Sequence, residues 1–295
     1  QHNHTVQAAM LAPVALLERS ALASRFPWLH TEDIALASLG LDGEGWFDGA
    51  ALAQALSRKA RALGARWRRG EVAGCSRAAG SPSTAPITGV TLTDGTQLPA
   101  DAVVNAAGPW AGALGRSMGL DVHVHARRRT VFMMDCPNAL PGLRQPRTPL
   151  VIDPSGVWFR SEGRGFIGGW SPGEGDDDPD DLPLDQPDLQ QFDDHVWPAL
   201  AARVPVFEAL RVRSAWAGYY EVHPLDHNAL IGPHPDCANF ILANGFSGHG
   251  LQQSPATGRG VAEWLLHGRY VSLDLQAFSP QRVRAGRPFI EQAFI

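Results

Sequence analysis

The sequence predicts an α/β (α+β) fold in two domains, and three observations predict it. A helix-period segment, a hairpin and a buried strand ending in small residues follow one another between residues 50 and 112. The apolar run Phe240-Ile-Leu-Ala stops abruptly in NGFSGHGLQQSPA, a glycine turn ahead of a helix. The middle third instead reads as consecutive strand-like runs separated by turns, the pattern of an antiparallel sheet.

The bulk properties agree with a folded chain. At 295 residues, 44% hydrophobic and 19% charged, it can bury one large core or two smaller ones. No stretch approaches the roughly 20 apolar residues that cross a bilayer. The start, QHNHTVQAAM, lacks the basic and apolar regions of a signal peptide, so a cytoplasmic location is the default expectation. The net charge of -5 counts against a nucleic-acid partner, which needs a basic surface. Lys59 is the only lysine. Cys75, Cys136 and Cys237 lie far apart, with no CxxC and no histidine at ligand spacing, so neither a disulfide framework nor a metal site is expected.

The elements follow in order. Apolar residues recur at helical spacing from Ala50 to Leu63, with Asp48 placed to cap the start and Gly64 to close the end. ARWRRGEVAGC reads as a short strand, and residues 77–86 as a loop. ITGVTLTDGTQLPADAVVNAAG is a hairpin turning at Asp94-Gly95, then a buried strand over residues 102–107. VFMMDC, LVIDPSGVWFR and GFIGGW are strands, and GEGDDDPDDLPLDQPD is a solvated acidic loop leading into a helix from Asp188 to Leu200. VRSAWAGYYEV is a strand, a turn falls at His223-Pro224, and Ala229-Leu-Ile begins another strand. The last helix is expected to open near Gln253 to Pro255.

Two segments carry chemistry. In VVNAAGPWAG, Ala106, Ala107 and Gly108 present backbone amides without side-chain bulk, which lets a ligand approach closely; read alone, the segment is equally a tight strand-to-helix connection. In the second, Gly245, Gly248 and Gly250 permit positive φ, and the helix that follows points its positive end at what the loop holds. His249 reads equally as a catalytic or a structural loop histidine.

GEGWFDGAAL, GARWRRGEV, VVNAAGPWAG, WAGYYEVHPLDHNALIGPHP and GFSGHGLQQSPATGRGVAEWLLHGR, in this order, resemble the D-amino acid oxidase superfamily of FAD-dependent oxidoreductases, which includes the glycine and sarcosine oxidases. Within it the combination is most similar to the FAD-dependent oxidoreductase domain-containing proteins. The resemblance implies a Rossmann-like FAD-binding domain, here residues 46–115 and 232–275, interleaved with an antiparallel-sheet substrate domain, residues 1–45 and 116–231, with 276–295 as a tail. By position it implies that Val72 meets the adenine end of noncovalent FAD. Ala106, Ala107, Gly108 and Trp110 would line the ribityl and pyrophosphate side, and Gly245, Phe246, Ser247, Gly248, His249, Gly250, Leu251 and Gln252 would flank the isoalloxazine.

The sequence departs from the family in three respects. The GxGxxG unit that opens family members is not found, and Gly43-Glu-Gly45-Trp-Phe-Asp-Gly49 does not replace it, so the FAD-binding domain is expected to be incomplete and to hold FAD weakly or not at all. The place of the lysine that activates oxygen in sarcosine oxidases falls near Ile167, which favours either a weak oxidase or a dehydrogenase passing electrons to a quinone or protein acceptor. The cation that holds a substrate carboxylate is replaced by Leu251 and Gln252 after the GHG turn and by Tyr219 and Tyr220 on the strand, leaving Arg160 as the candidate. The expected function is oxidation of an amine or amino acid by hydride transfer to flavin, with Tyr220, His249, Gln252 and Arg160 nearest the chemistry. The alternative is a flavoprotein-like assembly or binding factor without catalysis.

Overall fold

The protein is described by a computed structural model covering residues 1–80, 82, 84–139, 143, 148–173 and 182–291. Its helices are α1 (His2–Ala9), α2 (Arg19–Arg25), α3 (Gly49–Ala62), α4 (Ala111–Ser117), α5 (Trp197–Arg203), α6 (Gly250–His267) and α7 (Gln281–Arg284). Its strands are β1 (Val14–Glu18), β2 (Leu36–Gly40), β3 (Val72–Ser76), β4 (Gly89–Leu92), β5 (Gln97–Pro99), β6 (Val103–Asn105), β7 (His125–Asp135), β8 (Val151–Ile152), β9 (Val157–Glu162), β10 (Gly165–Trp170), β11 (Arg211–Val222), β12 (Leu230–His234) and β13 (Cys237–Asn244). No described helix is long and apolar enough to cross a membrane.

The chain forms two compact units: Gln1–Asp48 with Arg129–Asp177 and Pro183–Gly218, and Gly49–Arg128 with Asp178–Leu182 and Tyr219–Ile295. The first unit holds most of a five-stranded sheet in the order β11-β7-β10-β9-β8, in which β10 runs antiparallel to both β7 and β9. Side chains alternate across a strand, so Phe132 and Met134 on β7, Phe159 on β9 and Phe166 on β10 enter one core with Leu200, Val204 and Phe207. The Phe166 and Phe207 rings meet edge to face at 4.8 Å. Arg203 fastens the unit: Nε donates to Asp153 at 2.6 Å, Nη1 to the His30 carbonyl at 2.6 Å, and Nη1 and Nη2 to Asp33 at 2.8 Å each. The helix expected from 188 to 200 instead opens with a wide π turn, Phe192–Val196, and continues as α5 to Arg203. Pro198 lacks the N–H that an unbroken α ladder would use, so the regular register starts beside it. Most of the acidic run, residues 174–181, lies outside the described residues.

The second unit holds two three-stranded sheets, β12-β13-β6 and β3-β4-β5. β13 is antiparallel to β12 and parallel to β6, with Phe240 opposite Val103 and Leu242 opposite Asn105. Both faces of β13 are covered: Phe240 and Leu242 pack with Ile87, Ala111 and Val122, while Ile241 packs with Ile231, Val261 and Leu275. That double burial is why the strand is a continuous apolar run. The hairpin turns at Asp94-Gly95 as expected: Gly95 has φ 82°, and Asp94 Oδ1 accepts the Thr96 N–H at 2.9 Å.

Three local expectations change. The strand over 102–107 keeps only Val103–Asn105, because the Asn105 carboxamide accepts the Ala107 N–H and donates to the Ala111 carbonyl, both at 3.1 Å, and so turns the chain. α6 opens at Gly250, with Pro255 inside it. Proline cannot donate to the Leu251 carbonyl four residues back, but the Ser254 hydroxyl does, at 2.9 Å, which lets the helix continue. Residues 276–291 are not a detached tail: Val283 and Phe278 pack onto the two cores of this unit.

Candidate functional site

Because β6 and β13 are parallel neighbours, the loops that follow them, 105–110 and 244–250, leave from the same end of the sheet. Asn105 and Asn244 close the two strands, fully buried, with Asn244 Nδ2 3.5 Å from Asn105 Oδ1. After Asn105 the chain passes through Ala106, Ala107 and Gly108, whose φ is 54° and whose missing side chain would point into open space. Trp110 follows in a single 3-10 turn, 56% exposed, edge-on to Tyr219 at 5.6 Å.

The second loop is left-handed at Gly245 (φ 71°), Ser247 (φ 45°) and Gly248 (φ 94°). Ser247 is the informative one, since a non-glycine residue suffers steric strain there and persists only when its surroundings hold it. They do: the Tyr220 hydroxyl donates to the Ser247 carbonyl at 2.6 Å, and the His223 N–H donates to Ser247 Oγ at 3.1 Å. A side chain on Gly248 would strike the Tyr220 ring and hydroxyl, so glycine is required on two counts. Glu221 accepts the Gly245 N–H at 3.0 Å and the Phe246 N–H beside it. Burial pushes the Glu221 carboxyl above its ordinary range, and the two N–H groups only partly offset this.

Behind the loop, His223 and Asp226 are completely buried, with His223 Nδ1 2.7 Å from Asp226 Oδ1. Burial alone would raise the Asp226 carboxyl, but Arg282, the Phe289 N–H and His223 outweigh it and hold the group at about 2. Burial lowers the His223 imidazole below its ordinary range, against the opposing pull of Asp226. In front of the loop, α6 begins at Gly250 with His249 as its N-cap and no side-chain cap, leaving the first-turn amides and the positive helix end available. Gly248, Leu251 and Gln252 are exposed there, and His249 is half-buried.

The predicted residues thus divide into groups. The two loops and Trp110 follow strands of the second unit's β12-β13-β6 sheet, and Tyr220, on β11, also falls in the second unit. Val72 lies at the start of β3, opposite Leu92, as part of the core packing of that unit. Arg160 belongs to the first unit, where it pairs with Glu162 and its guanidinium lies 4.4 Å from the Trp46 ring centroid; its charge is already engaged. Ile167, where an oxygen-activating lysine was sought, is a buried core residue of β10. Sequence reasoning missed Glu221 and the His223, Asp226 and Arg282 cluster. The available signal was a lone carboxylate inside the half-buried strand WAGYYEV.

These residues can be tested against a flavin dinucleotide. Among the described residues Asn244 Oδ1, at the strand end, is a buried acceptor without a partner, and a polyol hydroxyl is a suitable donor for it. Gly108 leaves room for close approach to the backbone, and the uncapped α6 terminus suits an electron-rich edge. On these three observations the site fits such a group.

A parallel strand pair with glycine turns at its carboxyl end and an uncapped helix beyond is an arrangement suited to a dinucleotide. The chain matches the family model described as FAD dependent oxidoreductase over residues 3–264 and belongs to that family. It is 40% identical to "FAD-dependent oxidoreductase domain-containing protein 1" of Bos taurus, over all of this chain and 65% of that protein. It is 28% identical to human mitochondrial sarcosine dehydrogenase over 83% of this chain and 26% of that protein. Among solved structures, L-proline dehydrogenase from P. horikoshii aligns with a TM-score of 0.81 at 24% identity, covering 97% of this chain and 73% of the other. Glycine oxidase from Geobacillus kaustophilus aligns at 0.74 and 24% identity, covering 95% and 70%. Those two likenesses establish the shared fold. The chain spans 63–65% of the length of the vertebrate proteins named FAD-dependent oxidoreductase domain-containing protein 1 that it matches.

Proposed function

We propose that the chain serves an FAD-dependent oxidoreductase acting on an amine or amino acid, with the second unit holding the flavin and the first in the substrate-binding role. The observation that carries this reading is the pair of loops at the carboxyl ends of β6 and β13, one strained and braced, the other open at Gly108. Bound noncovalently, FAD would accept a hydride from the carbon next to the amine nitrogen, leaving an imine. The chain's own residues would do the rest. The amides of Gly250, Leu251 and Gln252 would favour negative charge at the helix end. Asn244 would accept a hydrogen bond from a hydroxyl, and Ala106, Ala107 and Gly108 would let the cofactor approach the backbone. Tyr220 would act by holding Ser247, since its hydroxyl already donates there. His249 and Gln252, at the exposed rim, would be the side chains nearest a substrate.

Isoleucine at position 167, where the resemblance places an oxygen-activating lysine, supports either a weak oxidase or transfer of electrons to a quinone or protein acceptor. A second reading, a flavoprotein-like binding or assembly factor, is favoured by one observation: Arg160, the candidate partner for a substrate carboxylate, is already paired with Glu162. Titrating the purified chain with FAD and then adding free and N-methylated amino acids anaerobically separates the two. Bleaching of the flavin supports the enzyme; flavin that binds and stays oxidised supports the binding factor.

A further inference from the structure

The loop that follows β13 is fastened from β11 by two consecutive residues of different character. Tyr220 donates to the Ser247 carbonyl at 2.6 Å, a neutral bond that shapes the turn. Glu221 accepts the Gly245 N–H at 3.0 Å and the Phe246 N–H, so a carboxylate, not a neutral acceptor, closes the loop's first two amides. Among the described residues no cation acts on Glu221, an uncommon arrangement for a desolvated carboxyl, which ordinarily finds an arginine or lysine. Asp226, five residues on in the same unit, has Arg282. The loop's geometry alone does not require a charge at Glu221, because a neutral amide side chain offers an acceptor of the same shape.

The Glu221 contact leads directly to the cofactor end of the loop. Phe246, whose amide Glu221 holds, packs against the opening of α6, where a side chain on Gly250 would touch its Cβ at 3.4 Å. A fixed negative charge on this side opposes the positive N-terminal end of α6, which is worth about half an elementary charge.

We propose that Glu221 is a positioning residue with two effects: it clamps the 245–250 loop through the Gly245 and Phe246 amides, and its charge lowers the electron affinity of the flavin that the loop and α6 would hold. The second effect rests on the flavin reading given above; the first does not. Burial favours the neutral carboxyl and the Gly245 and Phe246 N–H groups favour the ionised one, so enclosing the site lowers the ionised fraction of Glu221.

The test has two arms. In the chain without FAD, Glu221→Ala is expected to speed amide hydrogen exchange at Gly245 and Phe246 by about tenfold or more, as expected for loss of a charge-assisted bond, while Ile241 and Leu242 on β13 keep their protection. Unchanged exchange at Gly245 overturns the clamp, and Glu221→Gln, which retains an acceptor, should restore most of it if the alanine variant folds poorly. In the FAD-loaded chain, Glu221→Gln is expected to tighten sulfite binding to the flavin by about tenfold or more, the size expected when one charge is removed at short range in a partly desolvated site. Equal sulfite affinity in the two proteins overturns the electrostatic effect. If the unsubstituted chain binds no FAD, the electrostatic effect falls with the flavin reading, and the exchange arm still decides the clamp.

Discussion

Arg282 grips Asp226 with two nitrogens, Nε at 2.7 Å and Nη2 at 3.0 Å, and through Asp226 it reaches the loop that faces the proposed cofactor. Asp226 also accepts from the Phe289 N–H at 2.9 Å and meets His223 Nδ1 at 2.7 Å, and His223 in turn donates its N–H to Ser247 Oγ. A segment expected as a tail therefore helps to hold the candidate site. Removing one partner of a buried ion pair strands the other, so Arg282→Met is expected to destabilise the chain by about 3–5 kcal/mol. Chemical unfolding measures this, and a loss below about 1 kcal/mol would show that Asp226 finds another partner.

The same cluster sets an acid limit. Asp226 titrates at about 2 in the folded chain and near 3.9 when unfolded, so its contribution is complete above about pH 4 and is lost as pH falls toward 2. His223 has the same sign: burial depresses its folded value, so the unfolded chain takes the proton first and stability falls as pH drops below about 6.5. Unfolding free energy measured from pH 7 to 3 should decline in two stages, and His223→Gln should flatten the first. A profile in which the variant and the parent decline together above pH 5 would refute the histidine stage.

Gly248 and Tyr220 should be energetically coupled. Gly248→Ala places a methyl group against the Tyr220 hydroxyl at a left-handed φ of 94°, for an expected loss of about 1–3 kcal/mol. Tyr220→Phe removes the nearest atom and its bond to Ser247. The double variant should therefore be more stable than the sum of the single losses predicts, and strict additivity in thermal unfolding would contradict the contact.

In the first unit the corresponding fastener is Arg203. Asp153 is nearly buried beside it, while Asp33 is 60% exposed and screened by water. Most of the effect of Arg203→Met should come from Asp153, an expected loss of about 3 kcal/mol. Asp33→Asn, at a water-screened position, should cost clearly less than that. Equal losses for the two would mean that the exposed carboxylate contributes as much as the buried one.

Short-range features were legible in the order of the residues alone. α3 follows from apolar spacing, with Gly64 at φ 99° just past its end, and the Asp94-Gly95 turn follows from residues whose own side chain and φ build it. The apolar run of β13 and the glycine loop after it were legible for the same reason. What escaped was set by partners distant in sequence or by a neighbour's side chain. Pro255 reads as a helix start until Ser254 is seen supplying the missing bond. Arg282 and Asp226 lie 56 residues apart, and nothing local in either marks the pair. Glu221 looks like one more strand residue until its partners prove to be the amides of a loop 24 residues away.

Asn239 is a further long-range device, and it makes a prediction whose sign depends on pH. Its Oδ1 accepts the Ile87 N–H at 3.0 Å, while Nδ2 donates to the Ile87 carbonyl and the Asp101 carbonyl, both at 2.8 Å. The carboxamide thus acts as a peptide group inserted between two segments 152 and 138 residues away. Asn239→Asp keeps the shape and the acceptor but turns a carboxylate oxygen toward two carbonyl oxygens, for an expected loss of about 2–3 kcal/mol at neutral pH. Protonation returns one O–H donor, so the deficit relative to the parent should shrink as pH falls through the new carboxyl's value, while the parent itself weakens in acid. A deficit that stays constant from pH 7 to 4 would mean that the two carbonyls do not depend on the Asn239 amide.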